Sequence, residues 1–123
     1  MSTPSRATAA LSEILDHIDY ARSKVDGVSR AQFVEDRDAI YIVTRCLEII
    51  SEASRRLEDE VRARHVDIPW RQLFDAGNVY RHGYETVSPG RLFDTLIDDL
   101  PALETAVRAE IDRLKLIEQR AER

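Results

Sequence analysis

Apolar residues recur along this chain at helical spacing, and no segment shows the strict alternation of a half-buried strand. The first apolar stripe consists of Leu11, Ile14, Leu15, Ile18 and Val25. A Ser or Thr cap before Pro4 predicts where this helix begins, and Gly27 predicts where it ends.

A second stripe continues without interruption through residues 30–65. Its members are Ile40, Val43, Leu47, Ile50, Ser54, Leu57 and Val61. This pattern predicts one long helix, preceded by a short turn and capped by Ser29. The only cysteine, Cys46, falls inside the segment and is predicted to lie in the core.

Two further helices are predicted from proline positions and caps. Pro69 suits the first turn of a third helix, which begins near Trp70, a packing anchor, and ends near Gly83. Ser88 and Pro89 begin a fourth helix. Its apolar positions are Leu92, Phe93, Leu96, Ile97 and Leu100, followed beyond a kink or restart at Pro101 by Leu103, Val107, Ile111, Leu114 and Ile117. The fold class is therefore all-α, an antiparallel bundle of four to five helices.

Length and charge narrow the function. The chain has 123 residues, 43% of them hydrophobic, which predicts a single domain over residues 1–123. A net charge of −5 argues against a broad basic surface for duplex nucleic acid but is compatible with a small Arg/His cleft. The sequence has neither an apolar run long enough to span a membrane nor a signal-peptide pattern, so we expect a cytoplasmic protein.

A metal site in the bundle is not expected. Di-iron bundles need Glu-x-x-His pairs, and none of His17, His65 and His82 has a glutamate three residues before it. The single cysteine supplies no thiolate cluster, and the sequence has no glycine-rich phosphate loop. We therefore expect no metal and no cofactor.

The richest cluster of chemical groups is the stretch "GNVYRHGYE", residues 77–85. On a helix Asn78, Arg81 and His82 share one face, and Tyr84 lies just past the helix end. A guanidinium binds phosphate, an imidazole moves a proton and an amide orients both, which together suit phosphodiester chemistry. With RNA the nucleophile can be the adjacent 2′-hydroxyl.

Each of these residues also has a structural explanation. His82 could interact with the last carbonyls of its helix, and Tyr84 could pack under the following loop. Arg81 could be a solvated surface charge and Asn78 an ordinary polar helix position. Arg37 and Arg45 could line the same cleft or form surface ion pairs.

The chain resembles the HepT-like HEPN ribonuclease toxins over nearly its whole length. The resemblance rests on "FVEDRDAIYIVTRCLEIISEASRRL", "DIPWRQL" and "NVYRHGYETVSPGRLFDTLIDDLPAL". It implies homodimers of helical bundles whose paired active sites face a shared cleft and cut RNA without metal. It also implies a minimal nucleotidyltransferase (MNT) antitoxin as partner, which can transfer AMP to the tyrosine of an Arg-x-x-x-x-His-x-Tyr motif. Here His82 and Tyr84 match that motif.

The arginine of the motif has no counterpart, since Gly77 stands in its place and Arg81 is the candidate replacement, ranked above Arg71. Three hypotheses remain. The first, which we prefer, is a toxin ribonuclease that uses Asn78, Arg81, His82 and Tyr84, with Tyr84 as the AMPylation target. The second is a catalytically silent HEPN module that binds a nucleotidyltransferase or a nucleotide. The third is a dimeric helical scaffold.

Overall fold

The computed structural model describes residues 6–82 and 88–122, with residues 78–82 described by their backbone alone. Within these ranges the regular secondary structure is entirely helical, with short turns between the helices, which confirms the all-α fold class. The elements are α1 (Arg6–Ser23), α2 (Arg30–Phe33), α3 (Arg37–Arg55), α4 (Asp59–Arg64), α5 (Trp70–His82), α6 (Pro89–Asp94), a π-helical turn (Thr95–Asp99) and α7 (Leu100–Ala121). None of the helices in these ranges has the length and apolarity that a membrane crossing requires.

Helix α3 is the centre of the bundle. It packs mainly against α1 and α5, while α7 packs against α1, and α2 packs against α6. The predicted stripes of α1 and α3 face the core: Ile14, Ile18, Val43 and Ile50 are completely enclosed. Leu15 and Ile40 are partly buried against it. Cys46 is buried as predicted, and this burial raises the pKa of its thiol.

The prediction of one long helix over residues 30–65 is wrong. A capping box between Ser29 and Gln32 begins the short α2, and Asp36 caps α3 through the amide of Ala39. Helix α3 ends at Arg55, where the amides of residues 56 and 57 bond to carbonyls three residues back. The apolar period did not reveal this break because Ser54 before it, Leu57 within it and Val61 after it are all buried.

The predicted kink near Pro101 takes the form of the π-helical turn. Proline lacks an amide hydrogen and its ring crowds the carbonyl four residues earlier, so a wider turn before α7 accommodates it. Ile97 in this turn is 50% exposed, contrary to its predicted place in the stripe, because the wider turn shifts the helical register. Ile117, near the end of α7, is equally exposed.

Two predicted boundaries can be checked. Helix α1 ends at Ser23, four residues before the predicted end at Gly27, and Gly27 has a positive φ of 71° in the turn that follows the helix. Ser88 is the N-cap residue of α6 by backbone conformation, although its side chain makes no capping hydrogen bond. Pro4 and Gly83 lie outside the described residues.

Candidate active site

Helix α5 carries most of the predicted site, and Trp70 fixes where it begins. The indole Nε1 of Trp70 donates to the carbonyl oxygens of His65 at 3.0 Å and Arg62 at 3.2 Å. Its ring is partly buried against the core, which confirms the predicted packing anchor. The start of α5 is thus tied directly to α4.

Glu110 holds the same region from the side of α7. Its carboxylate is buried, with 5% of the residue exposed, and accepts from Arg64 Nε at 3.2 Å. His65 Nε2 lies 2.8 Å from the same carboxylate. The hydrogen bond from Arg64, and after it that from His65, holds the pKa of Glu110 below its ordinary value. This His/Arg/Glu group is internally paired, so its evident role is to fasten the α4–α5 connection to α7.

Further along α5, Gly77 is buried where the helix crosses α3. A Cβ at this position would lie 2.6 Å from the Cβ of Ser51 and would also overlap its hydroxyl oxygen. That hydroxyl donates to the carbonyl of Leu73, one turn earlier in α5, at 2.9 Å. The two helices therefore meet too closely at this point for any side chain larger than hydrogen.

This crossing explains why no arginine occupies position 77. An arginine side chain there would start inside the space filled by Ser51, whose Cβ is fixed to the α3 backbone. A cation in this part of the site has to come from another position.

The structure keeps Asn78, Arg81 and His82 on one helix, with His82 as the last residue of α5. At about 100° per residue, these positions fall in a sector about 100° wide that also includes Arg71 and Phe74. The side chains of residues 78–82 and all of Tyr84 lie outside the described residues. The catalytic roles of these four residues remain predictions.

Phe74 lies in the same sector, one turn before Asn78, and has two arginines over its ring. The guanidinium carbons of Arg55 and Arg62 are 5.5 Å and 5.4 Å from the ring centroid. Arg55 also donates to the carbonyl of Phe74 at 3.0 Å, and Arg62 pairs with Asp59. No sequence pattern indicates this arrangement, because the three residues belong to three different helices.

The two arginines that sequence analysis considered as lining the cleft, Arg37 and Arg45, have local partners. Arg45 forms an ion pair with Glu48 at 3.0 Å, and Arg37 lies 5.5 Å from the ring centroid of Tyr41. Across the part of the chain that the structure describes, no group of three or more His, Cys, Asp and Glu residues is placed to hold a metal ion.

Comparison with known proteins places the chain in one family, and both the family model and the similar proteins point to it. Residues 14–110 match the family described as Ribonuclease HepT-like. The protein named "Putative RNase TTE0752" from Caldanaerobacter subterraneus subsp. tengcongensis is 30% identical over 105 residues, which cover 85% of this chain and 94% of that protein.

Archaeal relatives show the same pattern. "Probable ribonuclease HepT" from Thermococcus cleftensis is 29% identical over 94 residues, covering 76% of this chain and 86% of that protein. "Putative RNase MJ1380" from Methanocaldococcus jannaschii is 26% identical over 99 residues, covering 80% of this chain and 91% of that protein. No solved structure gives a significant match.

Proposed function

Because the chain belongs to the ribonuclease HepT-like family, we propose that it is a metal-independent endoribonuclease and the toxin of a toxin–antitoxin pair. The observation that carries the proposal is the family match itself, which spans α5 and therefore the positions of Asn78, Arg81 and His82. Helical spacing brings these three positions to one side of α5. An amide, a guanidinium and an imidazole in one place suit RNA cleavage better than any other chemistry this chain offers.

The proposed reaction uses the RNA's own 2′-hydroxyl. Its oxygen attacks the neighbouring phosphorus, the bond from phosphorus to the 5′ oxygen breaks, and a 2′,3′-cyclic phosphate and a free 5′-hydroxyl result. One proton leaves the 2′-hydroxyl and one reaches the departing 5′ oxygen, and His82 serves one of these transfers as general base or acid. Arg81 stabilises the charge that develops on the phosphate, and Asn78 orients the Arg81 and His82 side chains.

The proposed biological setting is a cytoplasmic homodimer held silent by a nucleotidyltransferase antitoxin. Two protomers would present their sites to one shared cleft. The antitoxin would transfer AMP from ATP to the hydroxyl oxygen of Tyr84, with pyrophosphate as the leaving group, and the bound AMP would block access of RNA to the site. Tyr84 follows His82 by two residues, which supports a modification that reaches the active site.

The test is cleavage of total RNA in EDTA by the wild-type protein and by His82→Ala. We expect the variant to lose about 10²- to 10⁴-fold in cleavage rate, the usual contribution of a general acid or base. His17→Ala is the matched control, because His17 lies on α1 and bonds to the Glu13 carbonyl at 2.8 Å. Equal cleavage rates for wild type and His82→Ala would overturn the assignment of His82 as the general acid or base.

A second candidate is the catalytically silent HEPN module that binds a nucleotidyltransferase. It is favoured by the absence of the motif arginine at Gly77, where the crossing with Ser51 leaves no room for one. The experiment that supports this alternative is co-purification with the nucleotidyltransferase, together with no RNA cleavage by a folded protein whose Tyr84 is shown by mass spectrometry to be unmodified.

A further inference from the structure

The Phe74 arginine cluster, which we define as Phe74 with Arg55, Arg62 and Arg71, brings together three cations and an aromatic ring. Phe74 is half-buried, whereas Arg55 and Arg71 are exposed. Arg55 and Arg62 lie over the Phe74 ring, and Arg71 is one turn before Phe74 on α5. Guanidinium groups beside an aromatic ring are a common way to bind single-stranded nucleic acid.

The guanidinium groups keep donors available. An arginine has five N–H groups in a planar fork, and the bond from Arg55 to the Phe74 carbonyl uses one nitrogen of that fork. Within the described part of the chain, Arg71 makes no hydrogen bond or ion pair. The ring contact and the bond to the carbonyl restrict the Arg55 side chain, which lowers the entropy lost when it binds a phosphate.

The position of the cluster relative to the proposed catalytic residues is set by the α5 backbone. Arg71 and Phe74 fall in the same sector of α5 as Asn78 and His82. Phe74 precedes His82 by eight residues, which corresponds to about 12 Å along the helix. At about 3.4 Å per stacked nucleotide, this distance equals three to four nucleotides of a single strand.

We propose that the Phe74 arginine cluster is an RNA-binding subsite, which holds backbone phosphates three to four nucleotides from the cleaved bond and directs the strand along α5. The inference rests on the proposed ribonuclease function. It adds Phe74, Arg55 and Arg62, which the sequence did not point to, and gives Arg71 a phosphate-binding role in place of the catalytic one considered for it. A single-stranded RNA fits best, because the cluster is small and the protomer carries a net charge of −5.

Two acidic neighbours of the cluster determine which of its arginines can bind phosphate. Asp59 pairs with Arg62, so Arg62 contributes less free positive charge than Arg55 and Arg71. Asp75, exposed and adjacent to Phe74 on α5, opposes phosphate binding on the same side. We therefore assign the main phosphate contacts to Arg55 and Arg71.

The test measures binding of a fluorescently labelled single-stranded 2′-O-methyl oligoribonucleotide at several salt concentrations. This RNA has no free 2′-hydroxyl and cannot be cleaved by the proposed reaction, so the wild-type protein serves as the parent. Arg55→Gln and Arg71→Gln are each expected to weaken binding. Each should also make the slope of log K against log salt shallower by about 0.7, the value for one phosphate contact on a single strand. Arg113→Gln is the matched control, an exposed arginine on α7, and its slope should equal that of the parent.

The slope separates phosphate binding from a purely structural role. If Arg55 only fastened α3 to α5, Arg55→Gln would lower the unfolding temperature and leave the slope unchanged. Arg71→Gln removes no contact in the described structure, so its result does not depend on folding. Unchanged slopes in both variants, or no RNA binding by the parent protein, would overturn the proposal.

The result is independent of the catalytic assignment. If His82→Ala cleaves RNA as fast as wild type while the arginine variants still change the slope, the subsite stands and the assignment of His82 fails. If His82→Ala is inactive and the slopes are unchanged, the proposed function stands and the subsite fails.

Discussion

Gly77 controls how closely α5 approaches α3, because its missing side chain makes room for Ser51. The Ser51 hydroxyl uses this space to donate to the carbonyl of Leu73, so the serine links the two helices. Gly90 is also a buried helical glycine, but the atoms around it belong to a side chain that can move. A Cβ there would lie 2.9 Å from the guanidinium carbon of Arg30, which is the end of a flexible and largely exposed side chain.

We predict that Gly77→Ala destabilises the protein by about 1 to 3 kcal/mol, the usual cost of overpacking, despite the higher helix propensity of alanine. Gly90→Ala is the control and should cost less, because Arg30 can move aside. In a Ser51→Gly background, which removes both overlapping atoms, Gly77→Ala should cost less than in wild type. Denaturant unfolding of wild type, the three single variants and the Ser51→Gly/Gly77→Ala double variant measures these costs. Equal costs of Gly77→Ala in the two backgrounds would contradict the proposed clash.

Position 77 illustrates what a sequence motif can and cannot tell. The family resemblance marks Gly77 as a departure from Arg-x-x-x-x-His-x-Tyr and suggests a lost catalytic cation. The reason for the glycine lies in Ser51, 26 residues earlier, and becomes visible only when α3 and α5 are packed together. Phe74 and Arg55 are a similar case, since their contact also depends on how these helices cross.

At the scale of whole helices, apolar periodicity predicted the elements well and their ends less well. It identified the buried positions on both sides of Leu57 but missed the break there, because a short interruption that keeps both sides in the core leaves the period intact. The break separates α3 from α4. Helix α4 is then held in place by contacts distant in sequence, including that of Arg64 with Glu110.

The contacts of Glu110 with Arg64 and His65 lead to a prediction about how firmly α4 is attached to α7. Replacing its carboxylate by the amide in Glu110→Gln weakens the bonds from Arg64 and His65, at a cost of about 1 to 3 kcal/mol at neutral pH. Because the pKa of Glu110 is lowered in the folded protein, its contribution is complete above the unfolded value of about 4.3 and is lost as the pH falls through the folded value. The difference in stability between wild type and Glu110→Gln should therefore shrink in acid.

Thermal unfolding of both proteins between neutral pH and about pH 3 measures this loss. Asp112→Asn is the matched control, since Asp112 is exposed on the same helix two residues away. Its effect on the unfolding temperature should be small at all pH values. A constant difference between wild type and Glu110→Gln across this range would show that the carboxylate charge is not what fastens α4 to α7.

For the molecule as a whole, the question is how a protomer with a net charge of −5 can bind a polyanion. At about 0.1 M salt, charges beyond about 10 Å are largely screened, so the charges close to the bound strand decide the affinity and the net charge matters little. The proposed strand path contacts Arg55, Arg71 and Arg81, which predicts a total salt slope of about −2 for wild-type binding. A slope of about −6 or steeper would require a wide basic surface and contradict this picture.

Two aspartate variants separate local charge from net charge. Asp75→Asn and Asp112→Asn each change the net charge of the protomer from −5 to −4, but only Asp75 is adjacent to Phe74 on α5. A unit charge a few ångströms from a phosphate is worth about 1 kcal/mol or less in water, so Asp75→Asn should tighten RNA binding about 2- to 5-fold. Asp112→Asn should leave the affinity unchanged, as measured with the same labelled RNA. Equal tightening by both variants would mean that net charge controls binding and that the strand does not follow α5.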